Sequence, residues 1–141
     1  MADTEALLRD SPLFAGVDRK TLHRVVEQAT HRTYAAGETI VHQGDAASAL
    51  YLVLSGRVSI TREADGHETK LVEQGPGTFF GEMALIEDHP RTASVTAVEP
   101  TECLLIVAWE FTALMRSNPS IIEALFRELV TRMHRQEHHV F

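Results

Sequence analysis

The spacing of apolar positions along this chain changes twice. In "RKTLHRVVEQA", Leu22, Val25, Val26 and Ala29 recur at helical spacing, and Asp18 stands where a side-chain oxygen can cap the first turn. From Arg32 to Val107 the pattern becomes short apolar alternations broken by turns. "ETIVHQGD" sets Ile40 between polar neighbours and ends on Gly44-Asp45, and "ALYLVLSGRVSITRE" reads as two strands joined at Ser55-Gly56. "ADGHE" supplies an Asp-Gly hairpin turn, "TKLVE" another strand, "QGPGT" a break, and "CLLIVAW" a last strand. Roughly eight short strands at this spacing predict a small antiparallel barrel or jelly roll. After Trp109 the helical period returns. "WEFTALMRS" predicts a short helix, and "NPS" restarts the chain with Asn118 as N-cap and Pro119 at the first helical position.

The final helix carries Ile121, Ile122, Leu125, Phe126, Leu129, Val130 and Met133 on one broad apolar face. At about 100° per residue, Arg132 and Gln136 fall on that same face, whereas Arg127, Glu128 and Arg135 do not. Two polar residues near the end of an apolar stripe call for a partner. The fold expected is mainly β with flanking α: an antiparallel β-roll of about eight strands with N-terminal helices and a C-terminal hinge and lid. As a single domain over 1–141, it divides into helices over 1–30, the roll over 31–108, and hinge and lid helices over 109–141.

Composition narrows the function without naming it. The 141 residues are 44% hydrophobic and 23% charged, enough for a real core in one domain. A net charge of −7 argues against a general nucleic-acid surface, which needs clustered Lys and Arg, but leaves room for one small anion at a local positive site. Cys103 is the only cysteine, so an intrachain disulfide is excluded. "MADTEALLRD" is acidic and lacks the apolar run of a signal peptide, and "CLLIVAW" is too short to span a bilayer. A cytoplasmic protein or domain without membrane insertion is expected.

The stretch "FFGEMALIEDHPRTASVTA", 79–97, holds the chemistry. Gly81 permits a tight turn and close approach of a ligand. If Glu82 to Leu85 start a helical turn, their N–H groups converge on its N-terminus, where phosphate binds. Arg91 adds a planar, permanently charged fork suited to phosphate oxygens. A carboxylate beside a phosphate would repel it, so Glu82 must face something else. A ribose hydroxyl is the natural partner, because an ionised carboxylate only accepts. The ligand implied is a phosphate joined closely to a ribose.

"FGEMALIEDHPRTASV" resembles the phosphate-binding cassette of the cyclic nucleotide-binding domain family. Phe80, Gly81, Glu82, Ala84, Leu85, Arg91, Thr92 and Ala93 fill its diagnostic positions. "YAAGETIVHQGD" and "LYLVLSGRVSI" resemble that family's early barrel strands, so the likeness covers nearly the whole chain. It implies that Arg91 binds the cyclic phosphate with backbone N–H groups from Met83 to Leu85, Thr92 and Ala93, and that Glu82 accepts from the ribose 2′-OH. It also implies that Val72 belongs to the nucleotide site and that the last helix is a lid over the base. Arg132 then resembles the base-capping arginine of hyperpolarisation-activated channel domains, with Gln136 one turn further on. Thr92 occupies the position where a hydroxyl can bond the guanine 2-amino group. Both cyclic AMP and cyclic GMP are therefore expected as ligands, cyclic AMP first.

Each signal has a plainer reading. Arg91 alone could pair with Glu87 or Asp88 across a solvated loop, and Glu82 could be an ordinary turn acid. Arg132 could bury only its stem. His134, His138 and His139 include an i, i+4 pair, a pattern that suits a metal, but a solvated helix end is the reading preferred. Cys103 is expected as a small core residue. Catalysis finds little support, since the chain has no Walker-type loop, no H-E-x-x-H and no G-x-S-x-G, and no cofactor is expected beyond the nucleotide ligand. The alternatives are the same fold without a ligand, acting as a structural or interaction module, or the excised sensor domain of a transcription factor, channel or enzyme. The chain stops at Phe141 without room for a helix-turn-helix, so no direct nucleic-acid contact is expected; a partner domain or protein would contact the C-terminal helix.

Overall fold

The computed structural model describes residues 4–81 and 90–134, with side chains through 131. Two helices lead, α1 (Thr4–Asp10) and α2 (Arg19–Gln28), and the Asp18 carboxylate accepts from the Thr21 N–H at 2.8 Å, the expected cap. Eight strands follow among the described residues: β1 (Thr30–Tyr34), β2 (Thr39–Val41), β3 (Ala49–Ser55), β4 (Val58–Ala64), β5 (His67–Gln74), β6 (Phe79–Phe80), β7 (Ser94–Ala97) and β8 (Thr101–Val107). Helices α3 (Ala108–Ser117) and α4 (Pro119–His134) close the described chain.

The strands form two four-stranded antiparallel sheets, ordered β1-β8-β3-β6 and β2-β7-β4-β5. Successive strand side chains point to opposite faces, which gives the molecule two cores. Ala49, Tyr51 and Val53 of β3 face the second sheet together with Cys103 of β8, whereas Leu50, Leu52, Leu104 and Ile106 face the helices. Burial on both faces is why β3 and β8 read as nearly unbroken apolar runs. The adjacent Phe79 and Phe80 are divided the same way, one into each core.

Two turns make the topology. Asp65 and Gly66 both take positive φ, 56° and 79°, and close the β4–β5 hairpin as expected. At Ser55-Gly56 the chain does not fold back but passes from one sheet to the other, since β3 and β4 belong to different sheets. Gly56 has φ 92°, and a Cβ there would stand 2.4 Å from the Pro100 carbonyl oxygen. Only glycine fits this crossing without displacing backbone.

The last helix departs from expectation. Ile121 and Leu125 are buried with Phe111 and Phe14, but Ile122 and Phe126 are 52% and 67% exposed, and Leu129 and Val130 are half-buried. The side chain of Met133 lies outside the described residues. Helical periodicity reports which residues share a face; the neighbours decide how wide a strip they cover. Here Ile121, Ala124 and Leu125, spanning about 100° of arc, meet the core. Asn118 also serves differently from a simple N-cap. Its backbone carbonyl accepts from the Ile121 N–H at 2.9 Å, while its side-chain amide donates to the Leu114 carbonyl at 3.1 Å and so closes α3.

Candidate functional site

Strand β6 ends at Phe80, and the chain turns at Gly81 with φ 92°. Arg91 returns to meet that turn just before β7. Arg91 is only 6% exposed; its Nη1 donates to the Gly81 carbonyl at 2.9 Å and its Nη2 to the Ala49 carbonyl at 2.6 Å. A Cβ built on Gly81 would stand 2.3 Å from Nη1, so glycine is what lets the cation lie against the backbone here. The guanidinium carbon also sits 5.7 Å from the centre of the Tyr51 ring, and Tyr51 stacks on Phe80 with centroids 4.9 Å apart and planes 8° from parallel. A permanent charge over an aromatic face, with carbonyls taking its N–H groups, is how a buried arginine recovers part of its lost hydration. Burial raises the Tyr51 phenol above its ordinary pKa, and the nearby Arg91 charge offsets part of that rise.

The backbone around Arg91 is held as well. Its N–H donates to the Asp45 carbonyl and its carbonyl accepts from the Gly44 N–H, both at 2.8 Å. Arg62 Nε donates to the Thr92 carbonyl at 3.2 Å. Beside the guanidinium is a cavity of about 20 Å³ lined by Val41, Phe80, Gly81, Arg91, Thr92, Ala93 and Val95. A neighbouring hollow of about 110 Å³ shares Val41 and Arg91 and adds the polar Asp45 and Ser48. The site thus sets one buried cation between an apolar wall and polar backbone, an arrangement suited to an anion attached to a less polar body.

Of the residues singled out in the sequence, Gly81, Arg91, Thr92 and Ala93 come together at this cavity. Val72 lies half-buried on β5 against the core between the sheets and is not among the residues lining the cavity. No described residue of α4 lines it either; that helix packs on the far core through Ile121 and Leu125. Glu82, Met83, Ala84 and Leu85 lie outside the described residues, as do Glu87, Asp88 and Gln136. Arg132 belongs to α4, and its side chain, like those of His134, His138 and His139, also lies outside them. Among the described residues no three His, Cys, Asp or Glu are grouped as metal ligands. Cys103 is fully buried, and burial pushes its thiol up to about 12, which fits a core role.

Tyr51, the Ala49 carbonyl and the Gly44-Asp45 pair are partners of Arg91 that the sequence did not mark as site residues. Tyr51 carried one signal, a large polar-tipped side chain set in the apolar run of β3. The backbone partners carried none, because a carbonyl that accepts from an arginine leaves no mark on residue type.

The cyclic nucleotide-binding domain model matches residues 31–118. The cyclic AMP receptor protein of Thermus thermophilus is 38% identical over 127 residues, covering 89% of this chain and 59% of that protein. The chain therefore spans about three fifths of that relative. The crystal structure of the Thermus thermophilus catabolite activator protein superposes with a TM-score of 0.81 at 38% identity, over 89% of this chain and 60% of that one. The regulatory domain of Toxoplasma gondii PKA, solved with cAMP, gives a TM-score of 0.76 at 33% identity, over 79% of this chain and 43% of that one. Among the described residues, no helix is long and apolar enough to cross a membrane.

Proposed function

Because the chain belongs to the cyclic nucleotide-binding domain family, we propose that it binds a 3′,5′-cyclic purine nucleotide as a regulatory sensor, cyclic AMP ahead of cyclic GMP. The observation that carries this reading is the buried Arg91 guanidinium seated on the Gly81 carbonyl at the edge of a cavity shared with Thr92 and Ala93. A fixed cation with donors already oriented binds a cyclic phosphate without first losing side-chain freedom. The names of two relatives, a cyclic AMP receptor protein and a PKA regulatory domain solved with cAMP, favour the same ligand.

In this account Arg91 holds the phosphate with N–H groups of Met83 to Leu85, Thr92 and Ala93, and Glu82 accepts from the ribose 2′-OH. The Thr92 hydroxyl admits guanine without demanding it. Arg132, with Gln136 and Val72, supplies base contacts when α4 moves from the helix-side core to cover the site. Such movement follows from differential affinity of the nucleotide for two arrangements of α4. The module acts as a cytoplasmic regulator, not a catalyst, and signals through whatever domain or protein meets its C-terminal helix. It makes no nucleic-acid contact itself.

The test is calorimetric titration of protein shown to be free of nucleotide. Cyclic AMP should bind far more tightly than linear 5′-AMP, with cyclic GMP between them. Heat with none of the three, or equal affinity for the linear nucleotide, would remove the proposal. Glu82→Gln should reduce the preference over 2′-deoxy cyclic AMP. Thr92→Ala should cost cyclic GMP several-fold and cyclic AMP little, since one hydrogen bond contributes about 0.5–1.5 kcal/mol.

A further inference from the structure

Strand β7 begins at Ser94, paired with Thr61 of β4, so beyond Thr61 that side of β4 has lost its strand neighbour. The side chain of Gln43 takes the vacant place. Its Oε1 accepts from the Glu63 N–H at 2.8 Å and its Nε2 donates to the Glu63 carbonyl at 3.0 Å, so one carboxamide satisfies both backbone groups of a single residue as a strand would. The Gln43 backbone N–H in turn donates to Ser94 Oγ at 2.8 Å. The next two residues, Gly44 and Asp45, make the two 2.8 Å bonds that hold the Arg91 carbonyl and N–H. Glutamine suits this place because it carries a donor and an acceptor side by side at the end of a chain long enough to cross to β4.

We propose that Gln43 is a positioning residue for Arg91: by acting as a one-residue strand against Glu63, it fixes the Gly44-Asp45 segment that grips the Arg91 backbone. The Nη1 and Nη2 bonds orient the guanidinium, but they do so only while the backbone beneath it keeps its place. Gln43 touches no part of the cavity beside Arg91, and its effect on a ligand passes entirely through the loop. The consequence for nucleotide affinity rests on Arg91 being the phosphate ligand; the mechanical link does not.

Two measurements on the full chain separate these. In ligand-free protein, amide hydrogen exchange at Gly44 and Arg91 should accelerate about tenfold in Gln43→Ala, while amides of Val58 to Ile60 keep their wild-type rates. Gln43→Met, which keeps the length but neither hydrogen bond, should behave like Gln43→Ala; a side chain that only filled space would be rescued by it. Cyclic AMP affinity should fall about fivefold in both variants, the order expected for two exposed hydrogen bonds acting at second hand. In an Arg91→Ala background the same substitutions should cost nothing more, because the residue they position is gone. Wild-type exchange at Gly44 and Arg91 in Gln43→Met would overturn the proposal. So would accelerated exchange with unchanged affinity in a wild type that binds. Accelerated exchange in a chain whose wild type takes no cyclic AMP would instead uphold the link and remove the nucleotide reading.

Discussion

Arg91 occupies the space that a side chain on Gly81 would need: Nη1 lies 2.3 Å from where that Cβ would be and 2.9 Å from the Gly81 carbonyl oxygen that accepts its hydrogen bond. The absence of a side chain at one residue and the placement of the charge at the other are one structural fact. Every added carbon on residue 81 must push the guanidinium off its carbonyl.

Gly81→Ala should therefore damage binding more than folding. The clash falls on the flexible end of a side chain that can swing away, and the left-handed backbone costs a further 1–2 kcal/mol or so. The melting temperature should drop by a few degrees while cyclic AMP affinity falls at least tenfold. A variant that binds as tightly as wild type would show that the ligand does not depend on where the Arg91 guanidinium sits.

Cys103 should be inert in the folded protein. With its thiol pushed up to about 12 and its side chain fully buried, a fraction on the order of 10⁻⁴ is thiolate at pH 8, and no reagent reaches it. Iodoacetamide labelling should proceed only as fast as the protein opens and should accelerate with denaturant. Labelling at the rate of a free thiol under native conditions would place Cys103 outside the core.

The contact between α1 and α2 should respond to pH through His23. Its Nδ1 lies 2.6 Å from the Glu5 carboxylate of α1 and its Nε2 3.4 Å from Glu27 of α2, and the hydrogen bond to Glu5, then the charges of Glu27 and Glu5, raise its pKa above the ordinary 6.5. A raised histidine pKa contributes stability that is fully present below about pH 6.5 and is lost as pH rises through the higher folded-state value. Melting curves of wild type and His23→Gln between about pH 5.5 and 8.5 should differ most at the acidic end and converge at the alkaline end. A difference independent of pH would mean that the protonated form is not what joins the helices.

Much of this was legible in the residues, for identifiable reasons. The apolar runs of β3 and β8, the Asp65-Gly66 turn and the Asp18 cap are local, and local chemistry decided them. Gly81, Arg91, Thr92 and Ala93, which meet at one cavity, were legible because a left-handed turn and a permanently charged fork call for particular residue types in a short stretch. What sequence did not reveal was set by distant neighbours. Nothing at Ser55-Gly56 distinguishes a hairpin from a crossing between sheets, since the difference lies in where β4 finds β7 and β5. Nor does the stripe on α4 say that only the strip through Ile121 and Leu125 meets the core while Ile122 and Phe126 face outward. Gln43 carried no signal beyond its place before Gly44-Asp45, because a side chain that imitates a strand is defined by the backbone opposite it.

The most direct measurement is a titration of cyclic AMP into nucleotide-free wild type, Arg91→Ala and Arg91→Lys, with folding of each checked by its melting curve. Losing a charge-assisted fork should cost about 2–3 kcal/mol, a 30- to 150-fold weaker affinity in Arg91→Ala. Arg91→Lys should recover only part of it, since an ammonium cannot repeat the two-pronged geometry. Folded Arg91→Ala that binds cyclic AMP as wild type does would contradict the account, because the phosphate would then lie elsewhere.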